Sequence, residues 1–408
     1  MSLKYLARAG LRNFAIAAAA LALCGSAGAH GLKTLYAFDG TPPQSAPVRD
    51  AAGNLYGTTG VATQNLGTIY RLSPGAHGWT LTTLYSFTTG AGLIPSSPLI
   101  VDGAGNLYGT AAPNGVQRGG EIFRLSPDGA YKVLHRFAQN RYASEGALTY
   151  RGAAAGLPYD GTSPLYGPSA IGGRTAHGTV FSLTPNGATW DYEVIYTFCR
   201  RAQCRDGWSP FDTLTMDGGG NLYGVTASGG KYVGGVAFKL APAAGNWKET
   251  VLYDFCAKAG CPDGSTPISN SATLDAAGNL IGTTFIGGRG DACCGVAYKL
   301  APDGTETVLH AFCPNLDCSD GSSPFGGLTP AGATRLLGVT NQGGTNDAGA
   351  IFALSGQFRT LYSFCAQSDC ADGSGPLGSL AGDGHNHFYG VTVHGGGAGS
   401  GTVFEFTP

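Results

Sequence analysis

Charged residues are scarce in this sequence of 408 residues, where Asp, Glu, Lys and Arg together make up only 12%. A disordered chain has many charges and few apolar residues, so this scarcity, beside 43% hydrophobic residues, excludes disorder and allows a substantial core. Enzyme signatures are missing too, since there is no nucleophile elbow, P-loop, dinucleotide-binding fingerprint or HExxH helix. No motif of the sequence therefore assigns a reaction.

Long apolar runs are missing as well, except near the N-terminus. The stretch from about Phe14 to Leu23 is too short for a transmembrane helix, so we expect no transmembrane segment. Basic residues precede it and Ala27-Gly28-Ala29 follows it, which is typical of a signal peptide cleaved after Ala29. Lipidation at Cys24 is the alternative, but Leu23 stands where a small residue is expected. We predict a signal peptide at residues 1–29 and a protein that is secreted, periplasmic or at the cell surface.

Positive charge is also in short supply. The formal net charge is −2, and it becomes about −5 when residues 1–29, with three basic residues and no acidic one, are removed. This balance argues against nucleic acid or an anionic membrane as the main partner, because both attract basic surfaces.

Glycine, by contrast, is abundant at 68 residues and falls in short clusters at regular intervals. The clusters belong to a repeat that contains a segment close to L-Y-x-F, then G-N-L-Y-G, a Gly-Gly pair and G-x-V-F. The phenylalanines of its seven copies are Phe38, Phe87, Phe137, Phe198, Phe255, Phe312 and Phe364. They stand roughly 50 to 60 residues apart, a period typical of a β-propeller blade rather than of a helical repeat.

Each repeat divides into four short strands. In the second full unit we predict strands at 98–101, 106–110, 122–125 and 131–137, from alternating apolar residues and turn-forming groups. The chain begins with a fourth-strand segment and ends with a third-strand segment, so the N-terminal strand should complete the last blade and leave no open edge. The sequence predicts one all-β domain, residues 30–408, which is a seven-bladed β-propeller of four-stranded antiparallel blades.

Cysteine is concentrated in four repeats, directly after the phenylalanine, as F-C-x4-C-x-D-G. The pairs are Cys199/Cys204, Cys256/Cys261, Cys313/Cys318 and Cys365/Cys370. Four identical spacings predict a disulfide within each pair, as in an oxidising compartment. We expect no zinc, because no histidine stands at ligand spacing and four separate pairs cannot build one tetrahedral site. The vicinal pair Cys293-Cys294 leaves three states open: a disulfide, pairing with another loop, or free thiols.

All four cysteine pairs should lie on one face of the propeller. Connections alternate between faces in an antiparallel meander, so the links between blades share a face with the loops after each second strand, which carry the Gly-Gly pairs. We call this the disulfide face. Longer, cross-linked loops on one face favour a functional surface, and simple stiffening of exposed loops is the alternative.

Candidate ligand residues lie on the disulfide face. An aspartate recurs two residues after each second cysteine, at Asp206, Asp263, Asp320 and Asp372. These carboxylates would suit calcium or a polar ligand, and a turn that closes each cysteine loop is the alternative. Trp208 and Tyr232 have no equivalents in other repeats, so we predict that they stack against a ligand. The tyrosine of L-Y-G is replaced by Ile281 and Leu337 in two repeats, which indicates packing between blades.

The segments GNLYGTT (53–59), GTVFSLTPNG (178–187) and GNLYGVTASGG (220–230) resemble the GloVer, or Gloeo-Verruco, tandem repeat, and the resemblance covers essentially residues 32–408. It implies a bacterial exported protein and brings no catalytic residues. We expect a monomeric, non-catalytic propeller that binds a carbohydrate or a surface protein through its disulfide face, with calcium as the one candidate cofactor. The rival hypothesis is an extracellular hydrolase or lyase that acts on a glycan at the central channel.

Overall fold

The computed structural model describes residues 31–61, 66–88, 93–95, 97–113, 119–138, 147–211, 213–268, 272–289, 293–315 and 317–408. Within them the chain forms seven antiparallel β-sheets, one after another along the sequence. Three short 3-10 helices lie in the connections, at Ala153–Ala155, Ala202–Cys204 and Ser368–Cys370. The protein is a seven-bladed β-propeller, as predicted.

The first three blades share one strand order, from first to fourth along the chain. Blade 1 contains Val48–Arg49, Leu55–Thr58, Thr68–Gly75 and Gly78–Ser86. Blade 2 contains a divided first strand, Leu93–Pro95 and Ile100–Val101, and then Leu107–Pro113, Glu121–Leu125 and Tyr131–Arg136. Blade 3 contains a single bridge between Thr149 and Tyr166 as its first strand, and then Leu165–Ser169, Thr179–Asn186 and Thr189–Thr197.

The remaining blades repeat this order. Blade 4 contains Thr215–Met216, Leu222–Thr226, Val236–Ala243 and Asn246–Asp254. Blade 5 contains Thr273–Leu274, Leu280–Thr284, Val296–Leu300 and Glu306–Ala311. Blade 6 contains Ser322–Pro324 with Thr329–Pro330, and then Leu336–Gln342, Ala350–Leu354 and Phe358–Ser363. Blade 7 contains Ser374–Gly382, Phe388–His394, Thr402–Thr407 and, from the start of the described chain, Gly31–Ala37.

The N-terminal strand closes the ring. Gly31–Ala37 pairs antiparallel with Thr402–Thr407, with Leu32 opposite Phe406 and Lys33 opposite Glu405. The predicted completion of the last blade is therefore confirmed. Blade 7 has its full set of four strands, and its third strand is not left as an open edge.

A β-bulge explains the L-Y-x-F segment. In all seven blades the pairing of the third and fourth strands skips one residue, and that residue is the first of the segment. In blade 4, Val251 lies opposite Phe238 and Tyr253 lies opposite Ala237, so Leu252 has no opposite residue. A bulge of this kind breaks the alternation of the strand and redirects the side chains after it. The phenylalanine at the end of the segment consequently turns toward the next blade.

These phenylalanines join every blade to its successor. Each ring packs edge-on against an aromatic ring of the next blade's third strand, with centroids 5.0 to 6.1 Å apart. The seven pairs are Phe38–Tyr70, Phe87–Phe123, Phe137–Phe181, Phe198–Phe238, Phe255–Tyr298, Phe312–Phe352 and Phe364–Phe404. Glycine in L-Y-G leaves room for them, since a Cβ at Gly224 would lie 2.8 Å from Cζ of Phe238. The pairs form a closed circle that holds the ring together.

Candidate functional site

Four disulfides cross-link the segments that lead into blades 4, 5, 6 and 7. They join Cys199–Cys204, Cys256–Cys261, Cys313–Cys318 and Cys365–Cys370, as predicted. A fifth disulfide joins Cys293 to Cys294 between the second and third strands of blade 5. This is the first of the three alternatives that the sequence left open. Several disulfides in one chain indicate an oxidising, extracellular environment.

The disulfide loops and the Gly-Gly loops lie on the same face. The second glycine of each Gly-Gly pair donates its N–H to the carbonyl of the second cysteine in the preceding disulfide loop, at 2.9 Å. These bonds join Gly230 to Cys204, Gly288 to Cys261, Gly344 to Cys318 and Gly396 to Cys370. A Cβ at Gly229 would lie 2.8 Å from the Cys204 carbonyl oxygen, so only glycine allows the two loops to approach. The disulfide face is therefore a set of loops that fix one another.

The recurring aspartates close their own disulfide loops. Asp206, Asp263 and Asp372 are fully buried, and each carboxylate accepts bonds from two backbone N–H groups and one tyrosine hydroxyl. The donors to Asp263 are the Tyr253 hydroxyl at 2.7 Å and the N–H groups of Ala257 at 2.7 Å and Lys258 at 3.4 Å. Each aspartate belongs to a separate loop. Calcium binding stays a prediction, and a bound ion would have to replace these hydrogen bonds.

Asp320 differs from the other three aspartates, because the strand before its loop has His310 in place of the tyrosine. Oδ2 of Asp320 lies 2.7 Å from Nε2 of His310, and Oδ1 accepts the N–H of Cys313 at 3.0 Å. The His310 ring in turn stacks on Phe358 of the next blade, with centroids 3.6 Å apart. The carboxylate again serves the structure of its own loop.

Trp208 is exposed on the disulfide face of blade 4, and its contact with a ligand stays a prediction. Its side chain is 39% exposed, and its backbone exchanges hydrogen bonds with Ser228 at 2.8 and 3.2 Å. The other three disulfide loops have serine at the same position, two residues after the loop aspartate, at Ser265, Ser322 and Ser374. The ring of His177 meets the edge of the Trp208 ring at 5.5 Å. Tryptophan thus replaces the serine that stands at this position in the other three disulfide loops.

Tyr232 lies in the neighbouring loop, between the second and third strands of blade 4. It is 41% exposed, and the adjacent Val233 is 71% exposed. The Lys231 ammonium lies 5.0 Å from the centre of the Tyr232 ring, and the Lys231 N–H donates to Oδ1 of Asp254 at 2.5 Å. A Cβ at Gly229 would lie 2.7 Å from Cδ1 of Trp208, so the two loops that carry the aromatic residues are in contact.

Two buried glutamates behind the disulfide loops were missed by the sequence analysis. Glu249 in blade 4 bonds Arg201 at 2.6 Å, and Glu306 in blade 5 bonds Lys258 at 3.4 Å. Burial raises the pKa of Glu249 to about 7, against the effect of Arg201 and with the help of Asp206 and Asp254. Burial also raises the pKa of Glu306. The same strand position is apolar or aromatic elsewhere, at Leu32, Leu81, Tyr131, Tyr192 and Phe358.

Another position on the disulfide face varies in its chemistry. The residue before the glycine that leads into the third strand is His177, Gly234, Cys294 and Ala348 in blades 3 to 6. A ring nitrogen of His177 lies within 4.8 Å of both sulfur atoms of Cys199–Cys204. Sγ of Cys294 lies within 4.8 Å of both sulfur atoms of Cys313–Cys318. Neither contact could be found from spacing, because folding brings the loop onto a disulfide that follows much later in the chain.

These two clusters are also the groups of three that could hold a metal among the described residues. In each, two of the potential ligands are joined in a disulfide. A metal binds the thiolate form of cysteine, so the oxidised clusters lack the ligands for zinc. The expectation that no metal is held by the cysteine pairs stays a prediction for the oxidised protein.

The opposite face is built from Asp-Asn-Tyr turns between the first and second strands. Oδ2 of Asp217 accepts from the Asn221 amide at 2.7 Å and from the Tyr223 hydroxyl at 3.1 Å. The equivalent partners are Asn54 and Tyr56 for Asp50, and Asn106 and Tyr108 for Asp102. The tyrosine also packs between blades, as at Tyr389 against Trp79 with centroids 6.4 Å apart. The packing was expected from the sequence, but the hydroxyl bond was not.

A cleft of about 630 Å³ lies on this opposite face. It is lined by residues of blades 1 and 2 together with Tyr150 and Leu157 from the connection between the first and second strands of blade 3. That segment is longer than in other repeats and is tied to blade 2 by a bridge between Tyr159 and Asp102. Leu157 is 58% exposed at the rim. The insertion therefore shapes a surface that only this part of the ring has among the described blades.

The first strands surround the axis of the propeller, where the enzymatic hypothesis would place its acid and base. Around the junction of blades 6 and 7, Gly378 donates to the Phe325 carbonyl at 2.8 Å and Gly327 donates to Oγ of Ser379 at 2.9 Å. The equivalent segments of the seven blades are 43–47, 95–99, 144–148, 210–214, 267–272, 324–328 and 376–380. Their described residues include no ionisable side chain, while Glu145 and Asp212 lie outside the described residues. This wall, as far as it is described, offers no pair of groups for acid–base catalysis.

A family model for the Gloeobacter/Verrucomicrobia repeat matches residues 24–164 and 155–404, which together cover most of the sequence. The chain belongs to this family. No curated protein is significantly similar to it in sequence. None of the helices in the described ranges has the length and apolar character needed to cross a membrane.

The solved structures that are similar to this Gloeobacter/Verrucomicrobia repeat protein include proteins of several different kinds. A chain of the nidogen/laminin complex is 14% identical over 71% of this chain and 87% of its own, with a TM-score of 0.40. Prolyl oligopeptidase B from Galerina marginata is 9% identical over 79% of this chain and 42% of its own, with a TM-score of 0.44. Regucalcin from Agrobacterium tumefaciens, named as a calcium-binding protein, is 12% identical over 75% and 87%, with a TM-score of 0.40. Similarity this low carries no argument about ligand or activity.

Proposed function

We propose that this protein is an exported, non-catalytic binding module that contacts a carbohydrate through Trp208 and Tyr232 on its disulfide face. The observation that carries the proposal is the exposed Trp208, at a position where Ser265, Ser322 and Ser374 complete the same loop in blades 5, 6 and 7. Serine suffices for the fold three times, so folding does not require an aromatic side chain there. A large exposed ring that the fold does not need is a candidate ligand contact.

The backbone around the two rings is held in place before any ligand arrives. The disulfide Cys199–Cys204 and the buried Asp206 fix the loop before Trp208, and Gly230 bonds the Tyr232 loop to Cys204 at 2.9 Å. Binding therefore orders little additional backbone, which lowers the entropic cost of association.

The chemistry around the rings suits a sugar. Flat aromatic faces pack against the C–H faces of a sugar ring, and the few polar groups beside them can bond its hydroxyl groups. Lys231 supplies a cationic donor beside Tyr232, and Asp254, at the end of the fourth strand of blade 4, supplies a carboxylate that accepts the Lys231 N–H. Among the described disulfide loops, only those of blade 4 place an ammonium group and a carboxylate next to exposed aromatic residues.

A protein ligand is the second candidate, and the observation that favours it is the exposed Val233. This side chain is 71% exposed beside Tyr232, and the exposed Arg205 precedes Trp208 in the same loop. Tryptophan, tyrosine and arginine are the residues most enriched at the energetic centres of protein interfaces.

The test is a thermal-shift screen of the purified protein with soluble oligosaccharides, because a ligand that binds only the folded state raises the melting temperature. We expect one class of glycan to raise it, and Trp208→Ser and Tyr232→Ala to abolish the shift. Leu157→Ala removes an apolar side chain that is even more exposed, on the opposite face, and should leave the shift unchanged. A shift that survives Trp208→Ser contradicts the site. No shift with any glycan contradicts the carbohydrate ligand and favours the protein partner.

A further inference from the structure

The cluster of four cysteines between blades 5 and 6 has no counterpart in the other described loops. Cys293 and Cys294 form one disulfide, Cys313 and Cys318 form another, and Sγ of Cys294 lies within 4.8 Å of both sulfur atoms of the second. Two disulfides this close together can exchange partners, since a thiolate released from one is near a sulfur of the other. We propose that the four residues form a thiol–disulfide exchange site that a small thiol opens.

The burial of the four residues defines where an external thiol enters. Cys293 is exposed, Cys318 is partly exposed, and Cys294 and Cys313 are each only 3% exposed. A small thiol can therefore reach Sγ of Cys293 from solvent, while Cys294 is shielded from a second external thiol. The buried Cys294 then finds its reaction partner inside the protein.

The fold does not require a sulfur atom at position 294. The equivalent residue is Gly234 in blade 4 and Ala348 in blade 6, and both stand against disulfides of the same kind. Gly234 is close enough that an added Cβ would lie 2.7 Å from Cβ of Cys256, and Ala348 packs in one apolar cluster with Cys365. A small, unreactive residue is therefore sufficient for packing at this position, and Cys294 places a reactive sulfur atom there.

The exchange proceeds in two balanced steps. The thiolate of a small thiol attacks Sγ of Cys293, forms a mixed disulfide there and breaks the bond to Cys294, which leaves as a thiolate. Cys294 then attacks Sγ of Cys318, forms the Cys294–Cys318 disulfide and releases Cys313. The proton lost by the small thiol ends on Cys313, so no electrons are gained or lost overall.

The surroundings of Cys313 favour its release as a thiol. Sγ of Cys313 lies 3.2 Å from the carbonyl oxygen of Asn315. Once Cys313 carries a proton, its S–H group can donate to this oxygen, whereas the more exposed Cys318 is left for attack. The product has one new cross-link between the two loops, in place of the two local ones.

Glutathione is the probe for this proposal. The purified protein is treated with glutathione, free thiols are alkylated, and the linkages are mapped by mass spectrometry of proteolytic peptides. We expect glutathione on Cys293, a Cys294–Cys318 cross-link and an alkylated Cys313, while Cys365–Cys370 stays intact. Glutathione on Cys293 with an alkylated Cys294 and an intact Cys313–Cys318 would overturn the proposal, and so would no reaction at Cys293.

Two variants separate exchange from simple reduction. Cys293→Ser leaves Cys294 without its partner, so the Cys294–Cys318 cross-link and a free Cys313 should form without added thiol. The double variant Cys293→Ser/Cys294→Ala copies the arrangement at Ala348, and its Cys313–Cys318 disulfide should react no faster than Cys365–Cys370. A Cys293→Ser protein in which Cys294 remains a free thiol beside an intact Cys313–Cys318 excludes the exchange.

Discussion

The disulfide loops that follow blades 5 and 6 share one design and differ in what touches their sulfur atoms. In both, the glycine after the aspartate donates its N–H to the carbonyl of the second cysteine, Cys318 or Cys370, at 2.8 Å. Beside the first loop stands Cys294, and beside the second stands Ala348. The repeat thus specifies the loop, while a neighbouring position that needs only a small residue is free to carry chemistry.

Blade 4 supports the same conclusion at two other positions. Trp208 replaces the serine of the other disulfide loops, and Glu249 stands at the strand position where blade 6 has the apolar Phe358. Both substitutions leave the strand pairing of the blade unchanged. Residues that depart from the repeat without disturbing it are therefore the candidates for function in this propeller.

The largest effect should come from breaking the shared design. Asp263→Ala leaves two backbone N–H groups and the Tyr253 hydroxyl without their buried acceptor, so we expect a loss of roughly 3–5 kcal/mol in the free energy of unfolding. Urea denaturation measures it. Asp303→Ala is the control, because this turn aspartate is exposed and its partner is Thr305 of the same turn, so the substitution should scarcely change the midpoint. Equal effects of the two substitutions would show that the buried aspartate is not essential to its loop.

A pH-dependent effect should follow at Glu249. Its pKa is raised from 4.5 to about 7 by burial, so the folded protein favours the protonated carboxyl. The stability that this contributes is fully present below about pH 4.5 and is lost as the pH rises through 7, a change of about 3 kcal/mol. Glu249→Gln should remove that slope from the free energy of unfolding, measured by denaturation between pH 4.5 and 8. Parallel pH profiles of the two proteins would contradict the buried carboxyl as its source.

The fold could be predicted from the sequence because its signal is repeated seven times. The segment before Phe38 matches a fourth strand and residues 402–407 match a third strand, and the two together predict the blade that closes the ring. The four F-C-x4-C disulfides could also be predicted, since each joins cysteines within one short repeated segment. Features that recur at a fixed spacing can be predicted without knowledge of long-range contacts.

The rest of the site depends on contacts between segments that are far apart in the sequence. Cys294 meets Cys313 only because a loop folds over the link to the next blade, and no local pattern records that contact. Glu249 did leave a signal, because it alternates with Trp247 and Val251 on the apolar face of its strand. A carboxylate on an apolar face could have been recognised as buried.

A smaller effect should result from transferring the exchange site to blade 6. Ala348→Cys places a thiol against Cys365–Cys370, at the cost of roughly 1 kcal/mol for the extra sulfur in a packed position. We expect peptide mapping of the untreated variant to find the new thiol linked to Cys370 or Cys365, with the displaced cysteine free. The corresponding variant in blade 4, Gly234→Cys, is a poor control, because a Cβ there would approach Cys256 to 2.7 Å. An unreacted thiol at position 348 would show that proximity to a disulfide is not sufficient and that Cys293 contributes more than access.

The smallest effect on stability should come from Trp208→Ser, which gives blade 4 the residue that blades 5, 6 and 7 already use. Because Trp208 is 39% exposed and its backbone bonds to Ser228 do not depend on its side chain, the free energy of unfolding should change by no more than about 0.5 kcal/mol. Loss of glycan binding with stability intact would separate the function of this residue from the fold. The converse substitution Ser265→Trp presents the same ring on blade 5, where Lys231 and Tyr232 have no equivalent, and should not create binding. A large loss of stability in Trp208→Ser would instead mean that the tryptophan is part of the packing of blade 4, and the comparison with the serine loops would no longer indicate a ligand.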